Sequence, residues 1–237
     1  MRRPFVGVVF LLVLGWAAAA QDSVTYRAAW GDAASVGIAG GLYLLPDALG
    51  LPHGAPSCAP CDPATLPGVD RWAVRPVSSG AGIASNIALA GVAGFTALAS
   101  LQALPARQWR GNVAVLANAA AWSAATTEWL KAVVRRKRPV LYTSDAPAAA
   151  SDPENQKSFP SGHAALAFSA ATAYLVMARR EHLPHRTRNA MLLYAGALGV
   201  AALRVAAAKH FLTDVAGGAA LGAGVGWLAA TVHPIAP

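Results

Sequence analysis

From residue 80 to the end, the chain alternates long apolar runs with short polar connections. Five runs stand out, at about 80–104, 111–131, 161–178, 189–208 and 212–232. Each approaches the roughly 20 residues that an α-helix needs to cross a hydrocarbon layer. The charged outer face of a helix on a water-soluble core is missing from them. The pattern predicts an all-α fold over residues 80–237, a membrane-embedded helical bundle of about five to six transmembrane helices. The abundance of Ala and Gly leaves a soluble bundle with an alanine-rich core as the alternative.

Residues 1–79 are patterned differently. Met1, Arg2 and Arg3 precede an apolar stretch from Phe5 to Trp16 and the small residues Ala17 to Ala20. That is the order of a secretory signal, with cleavage expected after Ala20. An uncleaved N-terminal anchor is the competing reading. Residues 21–79 hold Asp22, Asp32, Asp47, Asp62 and Asp70 and are rich in Pro, which predicts an exported N-terminal segment. The stretch from about 28 to 51 is apolar, but its aspartates and glycines predict a surface-lying or re-entrant helix, not a crossing one.

Composition narrows the class. Of 237 residues, 55% are hydrophobic and only 13% charged, whereas about a quarter of an ordinary soluble domain is charged. Disordered, collagen-like and disulfide-scaffold chains are excluded. The net charge of +8 comes from 19 Lys and Arg against 11 Asp and Glu. The cations lie in short clusters between apolar runs, with no basic helix or zinc-finger spacing to meet a nucleic-acid groove, so anionic phosphate and the membrane surface are the expected partners. The two cysteines, Cys58 and Cys61, are read as a small disulfide loop in an exported chain. A zinc site would need two further ligands, so no metal is expected there.

Three clusters sit at the ends of the predicted spans. In the first, Lys131, Arg135 and Arg138 fall at i, i+4 and i+7, on one helix face that Pro139 would end. The second is Pro160-Ser161-Gly162-His163 opening a helix, where a hydroxyl and free backbone N–H groups suit an anion and Gly162 admits it close to the backbone. In the third, Arg204 precedes His210 and Asp214. On a helix these last two stand one turn apart, so the carboxylate can take one imidazole proton and leave the other nitrogen its lone pair. Singly, each cluster also suits an interface anchor, a helix cap or a surface pair.

Together the clusters resemble the tripartite signature of the type-2 phosphatidic acid phosphatase and haloperoxidase superfamily: Lys, six residues, Arg-Pro; Pro-Ser-Gly-His; and Ser-Arg, five residues, His, three residues, Asp. Leu203 stands where the family usually has Ser before the arginine. The likeness is dense from about residue 111 to 220 and loose over residues 1–79. It implies a metal-independent, cofactor-free phosphatase. His210 would attack phosphorus, Asp214 orient it, and His163 protonate the leaving oxygen and later activate water. Lys131, Arg138, Ser161, Gly162 and Arg204 would bind the phosphate. Arg135, outside the signature, is a possible headgroup contact.

The order of the spans brings all three clusters to one face, and the opposite connections, 105–110 and 179–188, hold six arginines. The positive-inside tendency then expects a bacterial inner-membrane protein whose site faces the periplasm or exterior. Its substrate would be a phospholipid or isoprenoid lipid phosphate or diphosphate. A soluble exported acid phosphatase acting on small phosphate esters, a vanadate-dependent haloperoxidase and a catalytically silent phospholipid binder are the alternatives. Gly218, Gly222 and Gly226 extend the face of His210 and Asp214 in four-residue steps, which predicts close helix packing.

Overall fold

The computed structural model describes residues 24–101 and 109–235. The expected cleavage site after Ala20 and most of the 105–110 connection lie outside the described residues. Among the described residues the α-helices are α1 (Trp30–Ala48), α2 (Gly68–Arg71), α3 (Ser79–Leu101), α4 (Trp109–Val134), α5 (Ala146–Ala149), α6 (Gly162–Arg180), α7 (Arg186–Ala206) and α8 (Leu212–Val232). The β-structure among the described residues is an isolated bridge between Tyr26 and Ile235. All five expected spans are helices, displaced by a few residues at their ends.

The long helices alternate in direction, so the start of α3, α6 and α8 and the finish of α1, α4 and α7 share one end of the bundle. Each carries an uninterrupted stretch without Asp, Glu, Lys or Arg: residues 33–46, 79–101, 111–127, 162–178, 189–203 and 215–232. At 1.5 Å per residue these stretches are about 20 to 35 Å long, comparable with a bilayer's hydrocarbon core of about 30 Å. Ile83, Ile87, Leu98, Met191, Leu198, Trp227 and Leu228 point outward from them. By length and composition α3, α7 and α8 can cross a membrane, and their bare apolar faces support membrane association.

The helix over 28–51 does not lie across the end of the bundle, as expected for a surface-lying or re-entrant segment. It stands lengthwise and parallel to α4. Asn118 donates to Asp32 at 3.3 Å, Trp122 to the Ser35 hydroxyl at 2.9 Å and Trp129 to the Leu42 carbonyl at 2.9 Å, a register that advances along both helices together. The two aspartates that argued against a crossing sit at its ends, where polar partners wait. Asp32 meets Asn118 and His233, while Asp47 pairs with Lys157. Residues 24–27 are accordingly held at the far end of the bundle, where Val24 N–H donates to the Arg180 carbonyl and Tyr26 Oη to that of Ala230.

The closest packing is between α6 and α8. A Cβ on Gly218, Gly222 or Gly226 would come within 2.4, 1.9 and 2.3 Å of the carbonyl oxygens of Ser161, Ala165 and Ser169. The glycine ladder is therefore a backbone-to-backbone seam with a four-residue step on both helices. Gly222→Ala should force the helices apart and lower stability by about 1 to 3 kcal/mol, the usual cost of overpacking. Gly224→Ala, which meets nothing within 4 Å, should be neutral or slightly stabilising. Thermal unfolding in detergent of the two variants checks this.

Candidate active site

The seam sets the N-termini of α6 and α8 side by side, and Ser161 N–H donates to the Asp214 carbonyl at 3.0 Å. Two segments cap this end of the bundle, residues 49–78 and 135–161. They are stitched together by the Cys58–Cys61 disulfide loop, whose Cys61 N–H donates to the Leu141 carbonyl, and by Gln156 donating to the Gly54 carbonyl.

The cationic cluster differs from its expected helical face. α4 ends at Val134, Arg135 takes the left-handed conformation (φ 52°), and Arg138 is extended (φ −75°, ψ 160°). The residue before a proline is driven out of the helical region by the pyrrolidine ring, so Arg138 could not have stayed on the helix in front of Pro139. Arg135 is exposed, and its guanidinium donates to the His53 carbonyl. Lys131 remains on α4; a Cβ on Gly162 would lie 3.7 Å from its Nζ, so the lysine reaches the N-terminus of α6.

Ser161 is the N-cap of α6, yet its hydroxyl caps nothing. Its Oγ is buried without a hydrogen-bond partner, and so are Nε of Arg138 and Nε of Arg204. Unmet polar atoms in the interior are costly, and the arginine nitrogens can only donate. Arg204 and Arg138 act electrostatically on both His163 and His210, and Lys131 acts on His163. The cations, the orphaned hydroxyl and the two imidazoles thus share one neighbourhood. Where the sequence has Leu203 in place of serine, Arg204 finds a hydroxyl from another helix: its Nη1 donates to Ser85 Oγ of α3 at 3.2 Å.

The histidine of the third cluster is held differently from expectation. His210 lies ahead of α8, not on it, and its Nδ1 is 3.8 Å from Asp214 Oδ2, too far for a hydrogen bond. Nδ1 instead lies 2.7 Å from the Ser158 carbonyl. Donation to that carbonyl fixes the proton on Nδ1 and leaves the lone pair on Nε2. Asp214 acts one step back, accepting from Ser158 Oγ, from Phe211 N–H at 2.8 Å and from Arg136. His163 Nε2 is 2.7 Å from Asn86 Oδ1 of α3, which steadies that ring.

Several participants escaped the sequence reading: Asn86, Ser85, Glu128, Arg136, Lys157, Ser158, Thr213 and Asp70. Arg136 lay within the basic run but off the expected helical face. The others belong to no motif, although Glu128 stands one turn before Lys131 and Thr213 next to Asp214. Glu128 pairs with Lys131 at 2.9 Å and Glu154 with Arg138 at 3.1 Å. Oxygens of Asp47, Glu128 and Glu154 lie within 4.8 Å of one another, and the Lys157 ammonium pairs with all three carboxylates. Burial alone would depress that ammonium, but hydrogen bonds to Asp47 and Glu154 outweigh it and hold its pKa above the ordinary lysine range.

The PAP2 superfamily model matches residues 112–236, just over half of the chain. The chain belongs to this superfamily. Membership supports a hydrolase acting on phosphate esters. No curated protein and no solved structure matches the chain. Arg138, Ser161, His163, Arg204, His210 and Asp214 all fall within the matched PAP2 region, whereas Asp70, Ser85 and Asn86 lie before it.

Burial lowers the His210 pKa to about 4, helped by Arg138 and Arg204 and opposed by Asp214. The ordinary value is about 6.5. A folded-state pKa below the unfolded one gives stability that is fully present above about pH 6.5 and is lost as pH falls through about 4. The thermal midpoint should therefore drop between pH 7 and pH 4.5, and His210→Gln, which cannot titrate, should drop less over the same interval. Parallel melting curves at the two pH values test this.

Proposed function

We propose that the protein is a membrane phosphatase that removes phosphate from a lipid phosphate monoester or diphosphate through a phosphohistidine. The observation that carries this reading is the set of buried, partnerless donors from Arg138 and Arg204 and the orphaned Ser161 hydroxyl beside the two histidines. Such groups are complementary to the equatorial oxygens of a phosphoryl group in flight, where preorganised donors do most of the catalytic work. Lys131 and the Gly162 N–H at the head of α6 would complete the cradle.

In this reading His210 Nε2 forms a bond to phosphorus as the bond to the ester oxygen breaks, and His163 supplies that oxygen with a proton. His163 then takes a proton from water, whose oxygen attacks the phosphohistidine, and phosphate leaves with the His210 lone pair restored. The substrate phosphate would compete with Glu128 and Glu154 for Lys131 and Arg138, which those carboxylates pair. Arg135, exposed and donating to the His53 carbonyl, stands outside these steps as a possible headgroup contact.

The lipid part of the proposal draws on a groove of about 470 Å³ that opens beside His163 and Asn86 between α3, α4 and α6. Below those two residues it is lined by Leu89, Ala93, Ala120, Leu166 and Ala170. An apolar chain suits that lining, with its phosphate at the His163 end. Phosphate release should be followed without divalent metal from phosphatidate, phosphatidylglycerol phosphate, undecaprenyl diphosphate, lipid A phosphates and p-nitrophenyl phosphate. Release from a lipid, abolished in His210→Ala, is expected, and Ala93→Trp should lower the ratio of lipid to ester turnover at least about tenfold. Turnover of the soluble ester alone would favour an acid phosphatase, and none at all a silent binder.

The catalytic end is read as the exported face. Arg27, Arg110, Arg179, Arg180, Arg186 and Arg188 gather at the other end, which the positive-inside tendency assigns to the cytoplasm, and an oxidised cysteine pair suits an exported compartment. With α1 crossing, residue 24 starts on the cytoplasmic side, out of reach of a processing enzyme on the exported face, and residues 1–20 stay attached. The intact mass of protein purified from membranes should be that of the full chain. A mass lacking residues 1–20 would overturn either the crossing of α1 or the exported site.

A further inference from the structure

A buried chain of polar groups runs from His210 away from the site and ends on a residue that the PAP2 match does not reach. Arg136 Nη1 bonds to Asp214 and to Thr213 Oγ1 (2.6 Å), while its Nη2 donates to Asp70 Oδ2 at 2.7 Å. Thr213 donates both its N–H (3.1 Å) and its hydroxyl (2.7 Å) to Asp70. The guanidinium carbon sits 4.6 Å from the centre of the Phe211 ring, next to His210 in the chain. Asp70 and Asp214 are both fully buried.

From this geometry we infer that Asp70, carried on α2 in the cap segment, is a positioning residue for His210, acting through Arg136, Thr213 and Asp214. This inference rests on the proposed phosphohistidine chemistry. Two carboxylates share one guanidinium, so the group carries one net negative charge, with Asp214 Oδ2 3.8 Å from Nδ1. When Nε2 bonds to phosphorus and Nδ1 keeps its proton, the imidazole becomes cationic. The surplus negative charge favours that state over the neutral resting ring, an interaction stronger in the transition state than in the ground state. Without Asp70, Arg136 would neutralise Asp214 alone and the surplus would vanish. Burial by itself would raise the Asp70 pKa, but bonds from Thr213 and Arg136 hold it below the ordinary carboxylate range, so the charge persists.

The test compares wild type with Asp70→Asn, Asp70→Glu and Thr213→Val. Orthovanadate, which takes the five-coordinate form of a phosphoryl transition state on a histidine nitrogen, and inorganic phosphate, which forms no such bond, are titrated by calorimetry. Asp70→Asn should weaken vanadate binding about tenfold and lower kcat by a similar factor while phosphate affinity and KM stay within about twofold. Asp70→Glu should recover part of the loss. Wild-type vanadate affinity and kcat in Asp70→Asn would overturn the inference, and so would equal weakening of vanadate and phosphate, which marks a merely structural role. Should Asp70→Asn fail to fold, Thr213→Val decides: a loss confined to vanadate supports the inference, and none contradicts it. The vanadate comparison needs no lipid, so a wrong substrate reading would appear as absent lipid turnover in wild type and leave this comparison intact.

Discussion

The site depends on one close approach, that of the α6 and α8 backbones along Gly218, Gly222 and Gly226. A side chain at any of these positions would collide with a carbonyl of the facing helix. Glycine at four-residue steps lets two helices meet at backbone distance where lipid offers no hydrophobic drive to press them together. The seam runs straight into the chemistry. Its uppermost contact is at Ser161, the N-cap of α6, and one turn above Gly218 stands Asp214, whose carbonyl receives the Ser161 N–H. His163 and His210 come from segments 47 residues apart in the chain, and this seam makes them neighbours.

Around it the fold separates two tasks. The long helices supply a body free of charge along most of its length, and the ion pairs beside the histidines lie at the capped end. Lys131 and Arg138 are held by Glu128 and Glu154, and Arg136 by Asp70 and Asp214. Among the described residues nine buried side-chain nitrogens and oxygens lack a partner, and three of them, Nε of Arg138, Nε of Arg204 and Oγ of Ser161, lie near the two imidazoles. Unpaired arginine donors near two imidazoles are what the proposed phosphate site rests on.

Much of this was legible in the sequence because it follows from local rules. Apolar runs of crossing length gave the five C-terminal helices, and the four-residue glycine step gave the seam. What escaped was set by long-range contacts. The stretch at 28–51 reads as a poor crossing helix on its own composition, but Asp32 and Asp47 find partners at the two ends of α4 and its neighbours, and the helix stands lengthwise beside α4. The expected bond between His210 and Asp214 assumed that both sat on a helix. Phe211 is the N-cap of α8, so His210 falls outside the first turn, and the Ser158 carbonyl takes its place as acceptor. The row of Lys131, Arg135 and Arg138 assumed a helix up to Pro139, against the conformational demand of the proline itself. Asp70 lies 144 residues before Asp214 in a segment with no motif, so no spacing rule could have joined them.

The most direct test of the account is whether phosphate is ever bonded to His210. Protein in detergent, without added metal, would be mixed with a lipid substrate radiolabelled in its phosphate, quenched within milliseconds, and assayed for protein-bound label. The account predicts a phosphoprotein that is stable in alkali, labile in acid, mapped to His210 and absent in His210→Ala. Turnover with no protein-bound label at any quench time, or a label that is acid-stable and elsewhere, would contradict it.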